Sequence, residues 1–350
     1  MLHKFPPCAG LLAGLFLSCA ASAKTLTVCA AGPPRADCEY AGPRAIQAAV
    51  DRSVDGDTVL LRAGTYVPES FTDVPYKKYV IRGYVAIRDK RISVVGEPGA
   101  VLDGASGPPV AAIVVEGGEV SLRGLTLRNF RAGNAEDDLY EGHGVFVIDA
   151  AATLADTTIE KYAKMALTGR GTARLLASQV RILDGHVAIW LEESAHLHLC
   201  NSIVRNNDSA GIAAYANSSA NVYNSVFDQN RDDGLYAEDD AAIFATNSLL
   251  LHNAPYAVRV IGNARAWVAY SVLFGNAAKG SEPQGKQSIR WGEQVIDRDP
   301  QTGADYALQP PLPGDPDVRS PRGVASMIGL AEVAACATHR SASAQFDRFR

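Results

Sequence analysis

The chain has 350 residues with 33 Lys and Arg against 38 Asp and Glu, a formal net charge of −5. That balance leaves no basic footprint for nucleic acid. The length allows one or two domains.

The first segment, Met1–Ala23, carries His3 and Lys4, an apolar run from about Ala9 to Ala20, and Ala21-Ser22-Ala23 ahead of Lys24. This is the pattern of a secretory signal peptide, with cleavage expected after Ala23 and a secreted or periplasmic location for the remainder. The apolar run is too short for a stable membrane span. Lipidation at Cys19 is the rival, and Phe16-Leu17-Ser18 makes a poor lipobox. Four of the six cysteines remain after cleavage. In an oxidising compartment Cys29 and Cys38 are placed to close a short loop, stabilising the N-terminal region by roughly 2–3 kcal/mol. Cys200 falls at an outward position and Cys336 in the tail, and whether they pair stays open. The cysteines form no CxxC and no Cys/His pair at zinc spacing, which argues against a zinc site.

Arg44–Asp51 has the spacing of a short amphipathic helix, and Asp55–Tyr66 reads as turn, strand and turn. Val85–Asp103 and Ile113–Asn129 each make one unit of a recurring pattern. Between Arg131 and His143 lies an insertion of about ten residues, which in a repeat protein becomes a loop on one face. Gly144-Val145, Ala166-Leu167 and Ala188-Ile189 follow at intervals of 22. The repeat then becomes regular. Asn207, Asn230, Asn253 and Asn276 stand 23 residues apart, in step with Asn201, Asn224, Asn247 and Tyr270 and with Ile203, Val226, Leu249 and Val272. Within each unit apolar residues alternate, as in Leu197/Leu199, Ala220/Val222, Ile243/Ala245 and Ala266/Val268, which is strand periodicity. Units this short cannot hold a strand and a helix. The economical solution is a coil of parallel strands, each paired with its equivalent one coil away at about 4.8 Å. Asparagine suits the turns because its amide pairs with backbone groups and with its neighbour in the stack.

The stretch AIQAAVDRSVDGDTVLLRAGTY (residues 45–66) resembles the N-terminal cap and first strand of the pectin-lyase-like right-handed parallel β-helix superfamily. ISVVGEPGAVLDG (92–104) resembles its second rung, and DPQTGADYALQP (299–310) is similar to the closing segment of β-helix repeat proteins. The resemblance implies an all-β fold, a single-stranded right-handed parallel β-helix with coils of about 22–23 residues and a short N-terminal capping helix. The resemblance covers about residues 40–312, the β-helix domain is expected over residues 24–312, and residues 313–350 are expected as a tail, loosely ordered or draped over the helix. The superfamily includes lyases, hydrolases, esterases, epimerases and inert scaffolds, so it leaves the activity open.

Read by alternation, the first strand of each coil presents Val114 and Glu116, Phe146, Thr168 and Arg170, Trp190 and Glu192, Ala213 and Tyr215, Tyr236 and Glu238, and Arg259. Aromatic rings stack on the apolar faces of sugars, and charged groups fix hydroxyls or uronate carboxylates. Arg170, Trp190, Tyr215 and Tyr236 are therefore candidate substrate-binding residues. His186, Glu192, Glu238 and Arg259 are candidate catalytic residues, with His186 as base and both Arg170 and Arg259 suited to neutralise a uronate. Glu192 and Glu238 stand two rungs apart, roughly 10 Å, at the upper edge for an inverting glycosidase pair. Glu238 with Asp239 and Asp240 would suit Ca²⁺, so the cofactor is none or Ca²⁺. Glu141-Gly-His143, Asp184-Gly-His186, Asn207-Asp208 and Arg231-Asp232-Asp233 lie where the chain turns onto this face. The motifs of polygalacturonases, alginate C5-epimerases, pectate lyases and pectin esterases are absent. The sequence thus leaves open a lyase or epimerase of an acidic glycan, a non-catalytic polysaccharide- or surface-binding β-helix, and a glycoside hydrolase. The expected partner is a polysaccharide, and the expected state a monomer with no membrane span.

Overall fold

The computed structural model describes residues 23–32, 36–133, 139–281, 287–293, 295–300, 302 and 306. The expected signal peptide up to Ser22 and the expected tail lie outside them. Each coil contributes three short strands, and the stacked strands form three sheets of eleven, twelve and nine strands. In one coil these are Ile212–Ala214 in the first sheet, Ser219–Tyr223 in the second and Val226–Asp228 in the third. Each pairs in parallel with its equivalent 23 residues on, Ile212 with Leu235, Ala220 with Ile243 and Val226 with Leu249.

The inward columns predicted from alternation form the core: Leu197, Ala220, Ile243 and Ala266 are all buried in one continuous cluster. The two asparagine columns do different jobs. Asn207, Asn230 and Asn253 are fully buried at the corner between the third and first sheets. Each Nδ2 donates to the next Oδ1, at 2.9, 2.9 and 3.1 Å through Asn276. Asn201, Asn224, Asn247 and Tyr270 turn the corner between the second and third sheets, and all four have φ near +50°. Asparagine tolerates that left-handed conformation better than other non-glycine residues. Tyr270 takes the same φ at the end of the column. One residue further on, Ser202, Ser225, Ser248 and Ser271 make a third ladder: the hydroxyls of Ser225, Ser248 and Ser271 accept the preceding coil's serine N–H at 3.1–3.2 Å, that of Ser202 accepts the Val180 N–H at 3.2 Å, and each donates to a local carbonyl.

The helix Ala45–Arg52 caps the first coils. Ile46, Ala49 and Val50 enter the core, and Gln47 finishes the first sheet. Its Nε2 donates to the Ala86 carbonyl at 2.9 Å and its Oε1 accepts the Ala86 N–H at 2.8 Å. A side-chain amide so replaces the missing strand at an end where backbone groups would otherwise be unpaired. Cys29 and Cys38 are disulfide-bonded. Cys200 faces outward by alternation, but it is fully buried and its sulfur is also in a disulfide. Cys8, Cys19 and Cys336 lie outside the described residues.

The outward apolar column Ile203, Val226, Leu249 and Val272 on the third sheet is covered by Ile296 and Tyr306, the latter donating to Asp228 at 2.6 Å. Alternation alone did not reveal a hairpin, Thr72–Tyr76 with Tyr79–Arg88, the antiparallel pair among the described strands. It folds over the outward face of the first sheet.

Candidate functional site

The hairpin decides how much of the first-sheet face is open. Val114 and Phe146 were expected outward and accessible. Both are fully buried under it, packed with Val74, Ile81 and Ala86. Thr168 is buried too, its hydroxyl 3.4 Å from His143 Nδ1. Arg170 has 10% of its side chain exposed, ion-pairs with Glu192 and is surrounded by Tyr76, Tyr79 and Tyr140. Burial lowers its pKa, with the tyrosines opposing. The hairpin tip is tied down by Glu193, whose carboxylate accepts from the Tyr76 hydroxyl at 2.6 Å and pairs with Lys77. The sequence reading did not include Glu193.

Of the insertion, the described end Leu139–Tyr140 joins the hairpin as a short parallel strand. Glu141 is buried and ion-pairs with Arg82 at 3.1 Å. His143 is buried against Tyr140 and Phe146. Burial, with Arg170 and Lys164 adding repulsion, pulls it down to about 3, so it stays neutral.

Above Thr168 the face opens. Registers place Thr168, Trp190, Ala213, Tyr236 and Arg259 in one outward column. Arg170, Glu192, Tyr215 and Glu238 form the next. The half-buried rings interleave across the two columns: Trp190 stacks on Tyr215 with centroids 4.4 Å apart, and Tyr215 lies 5.5 Å from Tyr236. They form a continuous aromatic ridge with a guanidinium at each end. Arg170 is 5.8 Å from the Trp190 ring and Arg259 is 5.6 Å from the Tyr236 ring. The four rung spacings between these arginines span roughly 19 Å.

The carboxylates of the ridge are engaged. Glu192 Oε2 accepts the Trp190 indole N–H at 3.0 Å as well as Arg170. Glu238 accepts the Tyr236 hydroxyl. Both acids therefore orient aromatic rings. Burial first, then the Tyr215 and Glu238 surroundings, hold the Tyr236 phenol well above its ordinary value, and Tyr215 is pushed up to about 12. Asp239 accepts the Ala216 N–H at 3.2 Å and Asp240 the Asn263 amide at 3.1 Å. Glu238, Asp239 and Asp240 thus face separate partners, and among the described residues no three His, Cys, Asp or Glu side chains converge as a metal would require. His186 is exposed at the turn before Val187–Leu191. By register it shares its edge of the face with Ser209 and Asp232.

Beside that edge Asp233 is fully buried in a column otherwise filled by Val187 and Ala210. Its Oδ1 accepts the Tyr256 N–H at 3.2 Å, and its Oδ2 lies 3.7 Å from Arg259. Burial, followed by repulsion from Asp232, pushes this carboxyl up to about 7 against the opposing pull of Arg259. The signal was in the sequence: an acid at a repeat position where the two preceding coils have Val and Ala.

Comparison with known proteins agrees with the fold. The family described as "Right handed beta helix region" matches residues 111–272. No curated protein sequence matches the chain. Among solved structures, the pectate lyase Pel9A superposes with a TM-score of 0.59 at 12% identity, covering 81% of this chain and 82% of that one. A rhamnogalacturonan lyase gives 0.52 at 13% identity, over 78% and 87%. The PL6-family alginate lyase AlyGC gives 0.51 at 15%, over 79% of this chain and 40% of that one. Identities this low speak to fold and not to activity. No helix among the described residues is long and apolar enough to cross a membrane. The chain is a right-handed parallel β-helix of the pectin-lyase-like fold.

Proposed function

We propose that this protein is exported and acts on an acidic polysaccharide laid along the outward face of the first sheet, as a lyase or C5-epimerase. The observation that carries this reading is the ridge Trp190–Tyr215–Tyr236 with Arg259 at its open end. Stacked rings offer apolar platforms to sugar faces, and a guanidinium 36% exposed matches a carboxylate in the plane of the sugar chain. Arg170, held under the hairpin, braces the platform through Glu192. β-Elimination and C5-epimerisation share a first step: charge neutralisation of the uronate acidifies H5, and a base removes it. Arg259 supplies the first requirement, and His186 and Asp232, exposed or half-buried at the edge of the face, are placed as candidate bases. Export rests on the Met1–Ala23 pattern and on the disulfide-bonded Cys29, Cys38 and Cys200, which belong in an oxidising compartment.

The hydrolase reading is less well supported, because Glu192 and Glu238 are both occupied in holding aromatic neighbours. The purified protein should be incubated with pectate, alginate and other uronic glycans, following the ultraviolet absorbance of the unsaturated product, reducing ends and the NMR spectrum of the polymer. Absorbance marks a lyase, and altered C5 configuration marks an epimerase. Reducing ends without absorbance would replace this reading by hydrolysis, and retained binding without turnover by a non-catalytic binder.

A further inference from the structure

Asp233 is poorly served by its surroundings for a charged group. It sits on the turn before Leu235–Ala237 with its side chain fully buried. Its Oδ1 has the Tyr256 N–H, while its Oδ2 has no hydrogen-bond partner. Its counter-charge is Arg259, at 3.7 Å and beyond hydrogen-bond reach. The other charged and titratable groups around it do not help. Asp232 on the same turn repels it, and Arg231 is turned away to Asp208 at 3.3 Å. On the first-sheet face lie the neutral Tyr215, then Tyr236 holding Glu238. From the following coil come Tyr256 and Arg259, and His186 stands on the same edge two coils back. Arg259 is bound loosely on its other side as well, 5.6 Å from the Tyr236 ring and 5.8 Å from the Tyr256 ring.

We propose that Arg259 is shared between Asp233 and the carboxylate of an acidic ligand, so that ligand binding is coupled to uptake of one proton at Asp233, a positioning residue. The inference rests on the acidic-glycan reading above and adds its regulation by pH. When a ligand carboxylate draws the guanidinium outward, a buried Asp233 carboxylate would lose its partner, which is costly. A proton from solvent converts it to the neutral acid, and the ligand's charge takes the place of Asp233's beside Arg259. The proton lies within easy reach, since burial and Asp232 already hold this carboxyl near 7. The sign follows from linkage. Below about 7 Asp233 is protonated and Arg259 is free to receive an anion. Above it the ligand must displace Asp233, and affinity falls by up to about tenfold per pH unit. A neutral sugar has no charge to exchange and shows no such slope.

The test is calorimetric titration of the full chain with an oligogalacturonate of defined length, from about pH 5 to about pH 9, in paired buffers of different ionisation enthalpy. The expected result is an affinity that falls about tenfold per pH unit above about 7, with close to one proton taken up per ligand. Asp233→Asn should bind with an affinity independent of pH, equal to that of the wild type in acid, and with no uptake. Asp232→Asn should keep the slope but begin it at lower pH. Arg259→Gln should lose both affinity and slope, and the fully methyl-esterified oligomer should show no slope with any form. A wild-type slope retained in Asp233→Asn, or binding without proton uptake, overturns the sharing while leaving the acidic-glycan reading intact. Absence of binding by wild type and Asp233→Asn at every pH overturns both.

Discussion

Replacing Asn230 by leucine tests whether the asparagine ladder holds the coils together. The side chains are similar in volume, so the change is chiefly polar for apolar. In the folded protein Asn230 Oδ1 accepts from Asn207 Nδ2 at 2.9 Å, and its Nδ2 donates to Asn253 Oδ1 at 2.9 Å and to the Val204 carbonyl at 3.4 Å. Leucine leaves Asn207 Nδ2, on a fully buried residue, without its acceptor. The Val204 carbonyl loses a weaker contact. Asn253 Oδ1 is partly spared, because the backbone N–H of residue 230 still reaches it at 3.2 Å. One orphaned buried donor costs about 1–3 kcal/mol, and the weakened acceptors add to it, giving about 3 kcal/mol in total. For a chain of this size that is a fall in melting temperature of about 4–5 °C. Asn217→Leu, at an exposed corner, is the control and should change stability by less than about 0.5 kcal/mol. Thermal melting of both variants by circular dichroism decides it. If Asn230→Leu melts within about 1 °C of wild type, the ladder is not a source of stability.

Trp190→Ala should weaken binding of an acidic oligosaccharide by about tenfold through loss of a stacking face, with Trp190→Phe retaining most of it; equal affinities in calorimetry would move the ligand off this ridge. Gln47→Leu leaves the Ala86 N–H and carbonyl unpaired at the end of the first sheet, so amide exchange at Ala86 should accelerate and stability fall by about 2–4 kcal/mol; unchanged protection at Ala86 would show that the cap is replaceable. Asp233 also makes a stability prediction. Its folded pKa, about 7, lies above the ordinary 3.8, so between these values the folded state holds the proton more tightly. Stability should fall as pH rises through this window, by roughly 4 kcal/mol from this group, and level off above it. Asp233→Asn should flatten that part of a pH series of denaturant titrations, and an identical profile in wild type and variant would contradict it.

The 23-residue recurrence was enough to determine the solenoid, its inward columns and its stacked turns. In a coil of parallel strands each residue pairs with its own equivalent, so periodicity in the sequence is position in space. The same register made Trp190, Tyr215, Tyr236 and Arg259 legible as one face. Local alternation could not show what covers a face, because burial of an outward residue depends on chain distant in sequence. Hence alternation shows Val114 and Phe146 as accessible although the Thr72–Arg88 hairpin lies over them, shows Thr168 as accessible although it is buried beside His143, and gives Glu193 no role although it holds the hairpin tip. The differing tasks of the two asparagine columns also needed tertiary structure, since one depends on side-chain contacts between coils and the other on a left-handed φ. Asp233 combines both levels. Its place in an apolar column follows from the repeat, whereas its proximity to a neutral pKa arises from burial, the neighbouring Asp232 and an arginine held just beyond hydrogen-bond distance.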